Sequence, residues 1–370
     1  MTLILVLALG FALAYANGSN DVSKGIATLV GSGVTSYCRA ILWGTLWTGA
    51  GGLAGAFVAR AMIQTFGKGL LAPGIDASMS AAFAGIAGAA MWVFIATRKA
   101  LPVSTTHAIV GSVIGVSSLA YGFGGVNWLS LGDKIALPLL LSPIASLVLT
   151  AGLLRTWKML APGLRDDCIC AEMVQPLEAG IGSEVLTYST YVMPQLELTM
   201  CRTGEGRAPW ITLNRLHWLT SGATSVARGL NDVPKMVAIV LSAAVLSGTA
   251  PIFPLAYFVA ITLGVVAGSW VAGQRVTEVL ACEVTPMDHR EGFAANLITA
   301  TLVGFGAVLG WPMSTTQVAS GAIIGIGSTK NERVNMKTVR DMLIAWVVTL
   351  PGAALLGIAA FLLLRMAGVH

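Results

Sequence analysis

Apolar runs close to the length that crosses a bilayer recur along nearly the whole chain, interrupted by single charges, prolines and glycines. Each spanning helix takes about 20 apolar residues. With 55% hydrophobic residues and only 11% charged ones, against roughly 25% charged in soluble domains, a soluble globular fold is excluded. The formal charge of +5 fits basic loops facing the cytoplasm rather than a nucleic-acid partner. Five cysteines, Cys38, Cys168, Cys170, Cys201 and Cys282, are an odd and scattered set, unlike the paired framework of a secreted disulfide scaffold. Residues 2–16 have the length of a signal peptide, and Ala14-Tyr15-Ala16 has the form of a cleavage site, but no basic stretch precedes them, so they are expected to stay in the protein.

Apolar periodicity places membrane segments near 2–17, 39–60, 77–97, 107–121 and 135–156, and again near 216–230, 234–249, 252–273, 292–310, 317–328 and 342–366. The runs at 107–121 and 317–328, and the piece from Val22 to Val30, are short for a full crossing and are expected to be half-helices or re-entrant elements, which need protein or water to satisfy their backbone. Between the two series, residues 157–214 carry seven acids: Asp166, Asp167, Glu172, Glu178, Glu184, Glu197 and Glu205. This is an aqueous segment, with a hairpin expected at 184–201. The chain thus divides into a first membrane repeat (1–156), a central hydrophilic segment (157–214) and a second membrane repeat (215–370).

The word repeat is literal. Asn20-Asp21-Val22-Ser23-Lys24 returns as Asn231-Asp232-Val233-Pro234-Lys235 at an offset of 211, and Pro102-Val103-Ser104-Thr105-Thr106-His107 returns as Pro312-Met313-Ser314-Thr315-Thr316-Gln317 at an offset of 210. Gly111 and Gly115 match Gly321 and Gly325. Two motifs sharing almost one offset point to an internal duplication, and paired Gly/Pro-interrupted segments in two halves mark a transporter's binding site. The expected fold is an all-α polytopic membrane protein of two internal repeats with discontinuous and re-entrant helices, about 10 to 12 membrane elements in all. Inverted and parallel repeats differ by whether an odd or an even number of crossings separates them.

Pro234 suits the first turn of a helix, where a missing N–H costs nothing, so each Asn-Asp pair is expected at a half-helix N-terminus. The Ser-Thr-Thr triplets follow a proline and precede an apolar helix, the place where hydroxyls cap free N–H groups. Four helix N-termini would then converge, offering donors and positive dipole ends to a tetrahedral oxyanion. The candidate anion-binding residues are Asp21, Ser104, Thr105, Thr106, Asp232, Ser314, Thr315 and Thr316. The alternative for the triplets is capping or tight helix packing, and for the aspartates structural capping, although ionisable groups at membrane depth are costly and usually functional. Lys24 and Lys235 lie three residues after each aspartate, on the same helix face. They are expected either to neutralise the carboxylates or to stand where a coupling cation would bind. Asn20 and Asn231 join them as coupling-ion or charge-balancing groups, and Na⁺ is the one metal considered, near Asn20, Asp21, Asn231 and Asp232. Arg228 is a further candidate anion contact. His107 faces Gln317 in the other repeat and is read as a capping or packing residue. Cys168, Cys170, Cys201 and His217 lack the spacing of a metal site, and no Walker loop, zinc-protease helix or nucleophile elbow is present. The chain is not read as an enzyme and needs no cofactor.

These motifs resemble those of the inorganic phosphate transporter (PiT) family of phosphate permeases, which includes a sulfate permease branch. The resemblance spans both membrane halves, including Gly18-Ser19-Asn20-Asp21-Val22, residues 27–33 and Gly310 through Gly325. It implies inverted repeats, discontinuous helices, and a site where the aspartates and hydroxyls of both halves bind phosphate with Na⁺ or H⁺. Lys24 and Lys235 depart from the small or amide residues usual in the family. Trp47 and Asn296 stand where many members carry a membrane glutamate associated with Na⁺ coupling, and Arg228 replaces a small residue or histidine. The expected function is a symporter that moves inorganic phosphate by alternating access, with H⁺ or Na⁺ as coupling ion. Hydrogen phosphate is favoured because it can share a proton with a carboxylate. The alternatives are a sulfate or other oxyanion permease and an anion-binding sensor that does not transport. Expected partners are inorganic phosphate, the lipid bilayer of a bacterial inner membrane and a second copy of the chain, with no nucleic acid. Asp21→Asn and Asp232→Asn are each expected to abolish uptake with folding intact.

Overall fold

A computed structural model describes residues 2–75, 77–160, 213–248, 254–330 and 334–369. Most of the central segment, with its expected hairpin at 184–201, lies outside the described residues. In the first half α1 (Thr2–Asp21) and α2 (Ser23–Gly31) are followed by α3 (Tyr37–Val58), α4 (Arg60–Lys68), α5 (Met79–Arg98) and α6 (Thr105–Tyr121). A short α7 (Trp128–Ser130) runs through a π-helical turn into α8 (Leu137–Leu160). The second half holds α9 (Leu213–Leu246), α10 (Pro254–Ala272), α11 (Gln274–Glu278), α12 (His289–Leu309), α13 (Thr315–Gly327) and α14 (Met336–Met366). Among the described residues the one β feature is an isolated bridge between Leu71 and Val126.

Eight helical runs among the described residues are long and apolar enough to cross a membrane. Large apolar side chains point outward along them, such as Leu140 and Ile144 of α8 and Leu343, Val347, Leu355 and Leu362 of α14, while asparagines, aspartates and lysines are buried inside. That is the reverse of a soluble protein and the arrangement a hydrocarbon solvent selects. The chain is an all-α, multi-pass integral membrane protein.

The helices pack reciprocally. α1 lies against α10 and α9 against α3, while α6 lies against α14 and α13 against α8. The duplicated glycines make these contacts close. A Cβ on Gly111 would run into the Leu350 carbonyl and one on Gly321 into the Pro143 carbonyl; Gly115 and Gly325 abut Ala354 and Leu147 one turn on. Small residues let backbones approach where no hydrophobic driving force separates helix from lipid. Gly321→Val is therefore expected to destabilise the protein by about 1–3 kcal/mol through overpacking. Gly152→Val, at a position of α8 with open space around it, is expected to stay within about 0.5 kcal/mol. Thermal unfolding of the two variants in one detergent checks this.

The second half corrects one expectation. The segments at 216–230 and 234–249 are a single helix, α9, which passes through Asn231, Asp232 and Pro234 without a break. Pro234 removes one backbone hydrogen bond, but α3 packs alongside with glycines at the contact. A Cβ on Gly52 would come within 2.9 Å of Val233, and one on Gly55 within 3.0 Å of the Pro234 ring. In the first half α1 and α2 meet at Val22, which keeps helical angles of φ −58° and ψ −31°. Neither Asn-Asp pair therefore opens a half-helix. Both lie within helical rods, and two helix N-termini converge instead of four.

Candidate functional site

Those two N-termini begin α6 and α13. Ser104 (φ −91°, ψ 114°) and Ser314 (φ −81°, ψ 106°) are their N-caps, each in extended backbone after a Pro-x pair. The Ser104 hydroxyl accepts from the His107 N–H at 3.2 Å and the Ser314 hydroxyl from the Gln317 N–H at 3.2 Å. The two serines thus act as caps. The threonines that follow are buried in the first turns, and they meet the aspartates.

Asp21 is where the two halves join. Its Oδ2 accepts from Asn17 Nδ2 at 2.7 Å and from the Thr105 hydroxyl at 3.1 Å; its Oδ1 accepts from Lys24 Nζ at 2.8 Å and from the Thr316 hydroxyl at 3.4 Å. Thr105 comes from α6 and Thr316 from α13, so one carboxylate gathers hydroxyls from both triplets. Thr316 also donates to the Val103 carbonyl at 2.7 Å. Asp232 lies close by, its Oδ2 at 3.4 Å from the same Asn17 Nδ2. Its Oδ1 accepts from Asn231 Nδ2 at 2.8 Å and from Lys235 Nζ at 3.4 Å. Lys235 in turn crosses to the first half, donating to the Thr106 hydroxyl at 2.8 Å, and to the Met313 carbonyl at 3.2 Å. Thr315 is buried in the same turn but makes no side-chain hydrogen bond among the described residues.

The asparagines hold the loops that lead to the caps. Asn20 Nδ2 donates to the Thr97 hydroxyl and the Leu101 carbonyl, each at 3.0 Å, while its Oδ1 accepts from the Val103 N–H at 3.2 Å. Asn231 Nδ2 donates to the Met313 carbonyl at 2.9 Å, the matching place before Ser314. Arg228 is fully enclosed: its Nε lies 4.0 Å from Asp232 Oδ2, and its other nitrogens reach the Thr48 hydroxyl at 3.2 Å and the Ser269 hydroxyl at 3.5 Å.

Asn17 is absent from the candidates read from the sequence, yet it touches both carboxylates and Thr105. A signal for it exists. The offset of 211 carries Asn17 onto Arg228, so each aspartate has a polar partner four residues before it on the same helix face. The Asn17 and Asn231 side-chain oxygens and the Arg228 Nε are buried without a hydrogen bond, which is uncommon for polar atoms shielded from water. Asn296 is likewise buried on α12 with its amide nitrogen unpaired. Trp47, by contrast, lies exposed on α3, edge-on to Trp43 at 5.4 Å. The His107 side chain is buried in α6 with its Nδ1 unpaired, and Gln317, its counterpart in the second repeat, is buried in α13 with its Oε1 unpaired. Cys168, Cys170 and Cys201 lie outside the described residues. His217 packs against Gly292 and pairs through Nε2 with the Thr28 hydroxyl at 3.1 Å.

The charges follow from this geometry. Lys24, Lys235 and Arg228 face Asp21 and Asp232 in one buried cluster, three cations against two carboxylates. Both ammonium groups and the Thr105 and Thr316 hydroxyls donate to protein oxygen, which is what buried charge requires. An anion carrying one negative charge would balance the remaining cation, and it would find hydroxyl, amide and ammonium donors that already point inward.

Residues 17–357 match the phosphate transporter family. A protein of Pyrococcus abyssi, provisionally named a phosphate permease, is 28% identical over 99% of this chain and 98% of its own length. A protein of Mycobacterium tuberculosis, provisionally named a low-affinity inorganic phosphate transporter, is 26% identical over 99% of this chain and 78% of its own. A solved structure described as the sodium-dependent phosphate transporter shares the fold, with a TM-score of 0.78, 22% identity and 99% of each chain covered. The family and these relatives are named as transporters or permeases, not as enzymes. The chain belongs to the phosphate transporter family.

Proposed function

We propose that this protein is a secondary active symporter that carries inorganic phosphate across a bacterial inner membrane by alternating access, working as a pair of copies. The observation that carries the reading is the convergence of the first turns of α6 and α13 on Asp21 and Asp232, with Lys24, Lys235 and Arg228 in the same buried cluster. Phosphate would draw on the donors that the carboxylates now hold, the Thr105 and Thr316 hydroxyls, the Asn17 amide and the two ammonium groups, and on the Thr106 hydroxyl beside Lys235. Binding thereby exchanges contacts between the halves for contacts to the anion. Such an exchange couples occupancy to their relative movement, since a ligand shifts a conformational equilibrium only through differential contacts. The reciprocal packing of α1 on α10 and α9 on α3 supports inverted repeats that rock against one another.

The test is uptake of labelled phosphate into proteoliposomes containing the purified protein, with sulfate as competitor and with Na⁺ and pH gradients imposed separately. Phosphate accumulation driven by one gradient is the expected result. Labelled sulfate entering where phosphate does not would keep the fold and replace the substrate. Phosphate binding without flux under either gradient would replace the symporter with a sensor.

A further inference from the structure

Lys24 is placed as an ion would be. Its Nζ lies 2.6 Å from the Asn20 main-chain carbonyl, 2.9 Å from Asn20 Oδ1 and 2.8 Å from Asp21 Oδ1. An ammonium has three donors and no acceptor, so all three are used, and the side chain is fully shielded from solvent. A carbonyl, an amide oxygen and a carboxylate within one helical turn form the all-oxygen set that hard cations take. Lys235, 211 positions on, is also ringed by three oxygens, but they are drawn from both halves: the Thr106 hydroxyl, the Met313 carbonyl and Asp232 Oδ1. Na⁺ at Asn20 and Asp21 would need the same three oxygens and would sit against the ammonium, so the residues present do not fit it.

Resting on the phosphate-symport reading above, we infer that the Lys24 ammonium is a tethered cation filling the oxygen cage of Asn20 and Asp21, so that the transport cycle of this chain takes no Na⁺ there. The ammonium supplies the positive charge the anion needs but cannot dissociate. No Na⁺ gradient is spent through this cage. Removing the side chain back to Cβ leaves the three oxygens in place around a vacated, negatively biased space. Lys24→Ala then creates an Na⁺ site where the wild type has none.

The experiment compares the purified full-length protein in NaCl and in choline chloride at equal ionic strength without phosphate, reading the thermal unfolding midpoint. The wild type is expected to melt at the same temperature in both salts. Lys24→Ala is expected to melt lower in choline and to rise saturably by about several degrees with Na⁺, because a ligand that binds the folded state alone stabilises it. Lys24→Met, which removes the charge but keeps most of the bulk, is expected to ignore Na⁺. In proteoliposomes, wild-type phosphate uptake is expected to be unchanged when choline replaces Na⁺, while Lys24→Ala uptake falls in choline and recovers about tenfold or more in Na⁺ as the cage fills. A folded Lys24→Ala protein that ignores Na⁺ would overturn the inference, as would wild-type uptake that stops in choline; the latter measurement needs no variant to fold. A wild type that carries no phosphate under any gradient refutes the symport reading instead, and the melting comparison still decides the cage.

Discussion

Asp21→Asn is expected to reduce phosphate uptake by a factor of about 100 or more, the loss of two charge-assisted hydrogen bonds at about 1.5–3 kcal/mol each. The carboxylate accepts from Lys24, Asn17, Thr105 and Thr316 at once. A carboxamide would accept at one end only and would set its own N–H groups against donors at the other. The structure also revises the expectation that folding stays intact. Removing one partner of a buried ion pair costs about 3–5 kcal/mol, because the other charge is left without its counter-ion, and Lys24 would be left among neutral oxygens. The single variant should therefore melt lower as well as transport less. Combining Asp21→Asn with Lys24→Met removes both charges; it should recover much of the melting temperature without recovering uptake. Uptake near the wild-type rate in the single variant would remove Asp21 from the mechanism. Asp232→Asn, with Lys235 and Arg228 beside it, should behave in the same direction.

Lys235→Met is expected to raise the half-saturating phosphate concentration by about 100-fold, the scale of losing two hydrogen bonds to a charged donor. In the wild type the buried cluster carries one more cation than carboxylates. Without Lys235 the charges are equal in number, and an entering monoanion would leave uncompensated charge in a medium that penalises it heavily. Lys235 is also the cation that crosses between the halves, from α9 to the Thr106 hydroxyl, whereas Lys24 stays within its own turn. Lys235→Arg keeps the charge, but its planar fork does not reproduce a compact ammonium set among three oxygens, so an intermediate value is expected. Initial rates across a range of phosphate concentrations separate affinity from turnover. An unchanged half-saturation in Lys235→Met would assign the lysine to stability alone.

What the sequence determined by itself is what short-range rules encode. Apolar runs gave α3, α5, α10 and α12 nearly to their ends, because a bilayer demands helices of fixed length with satisfied backbones. The caps at Ser104 and Ser314 were legible because a Pro-x-Ser-Thr-Thr pattern specifies a helix start locally. The duplication named both aspartates, both lysines and the glycines that bring α6 to α14 and α13 to α8. Tertiary structure alone decided the rest. Pro234 reads equally well as a helix opener or as an interior residue, and the close seat of α3 on α9 makes it interior. Asn17 looked like one polar residue in an apolar helix until folding set its amide between carboxylates 211 positions apart by chain. Which hydroxyl meets which carboxylate, and that each lysine is enclosed by three oxygens, depend on how helices from opposite halves pack. Hydropathy and capping act over a few residues, while the charge balance of a buried site is set by groups that meet only after the whole chain has folded.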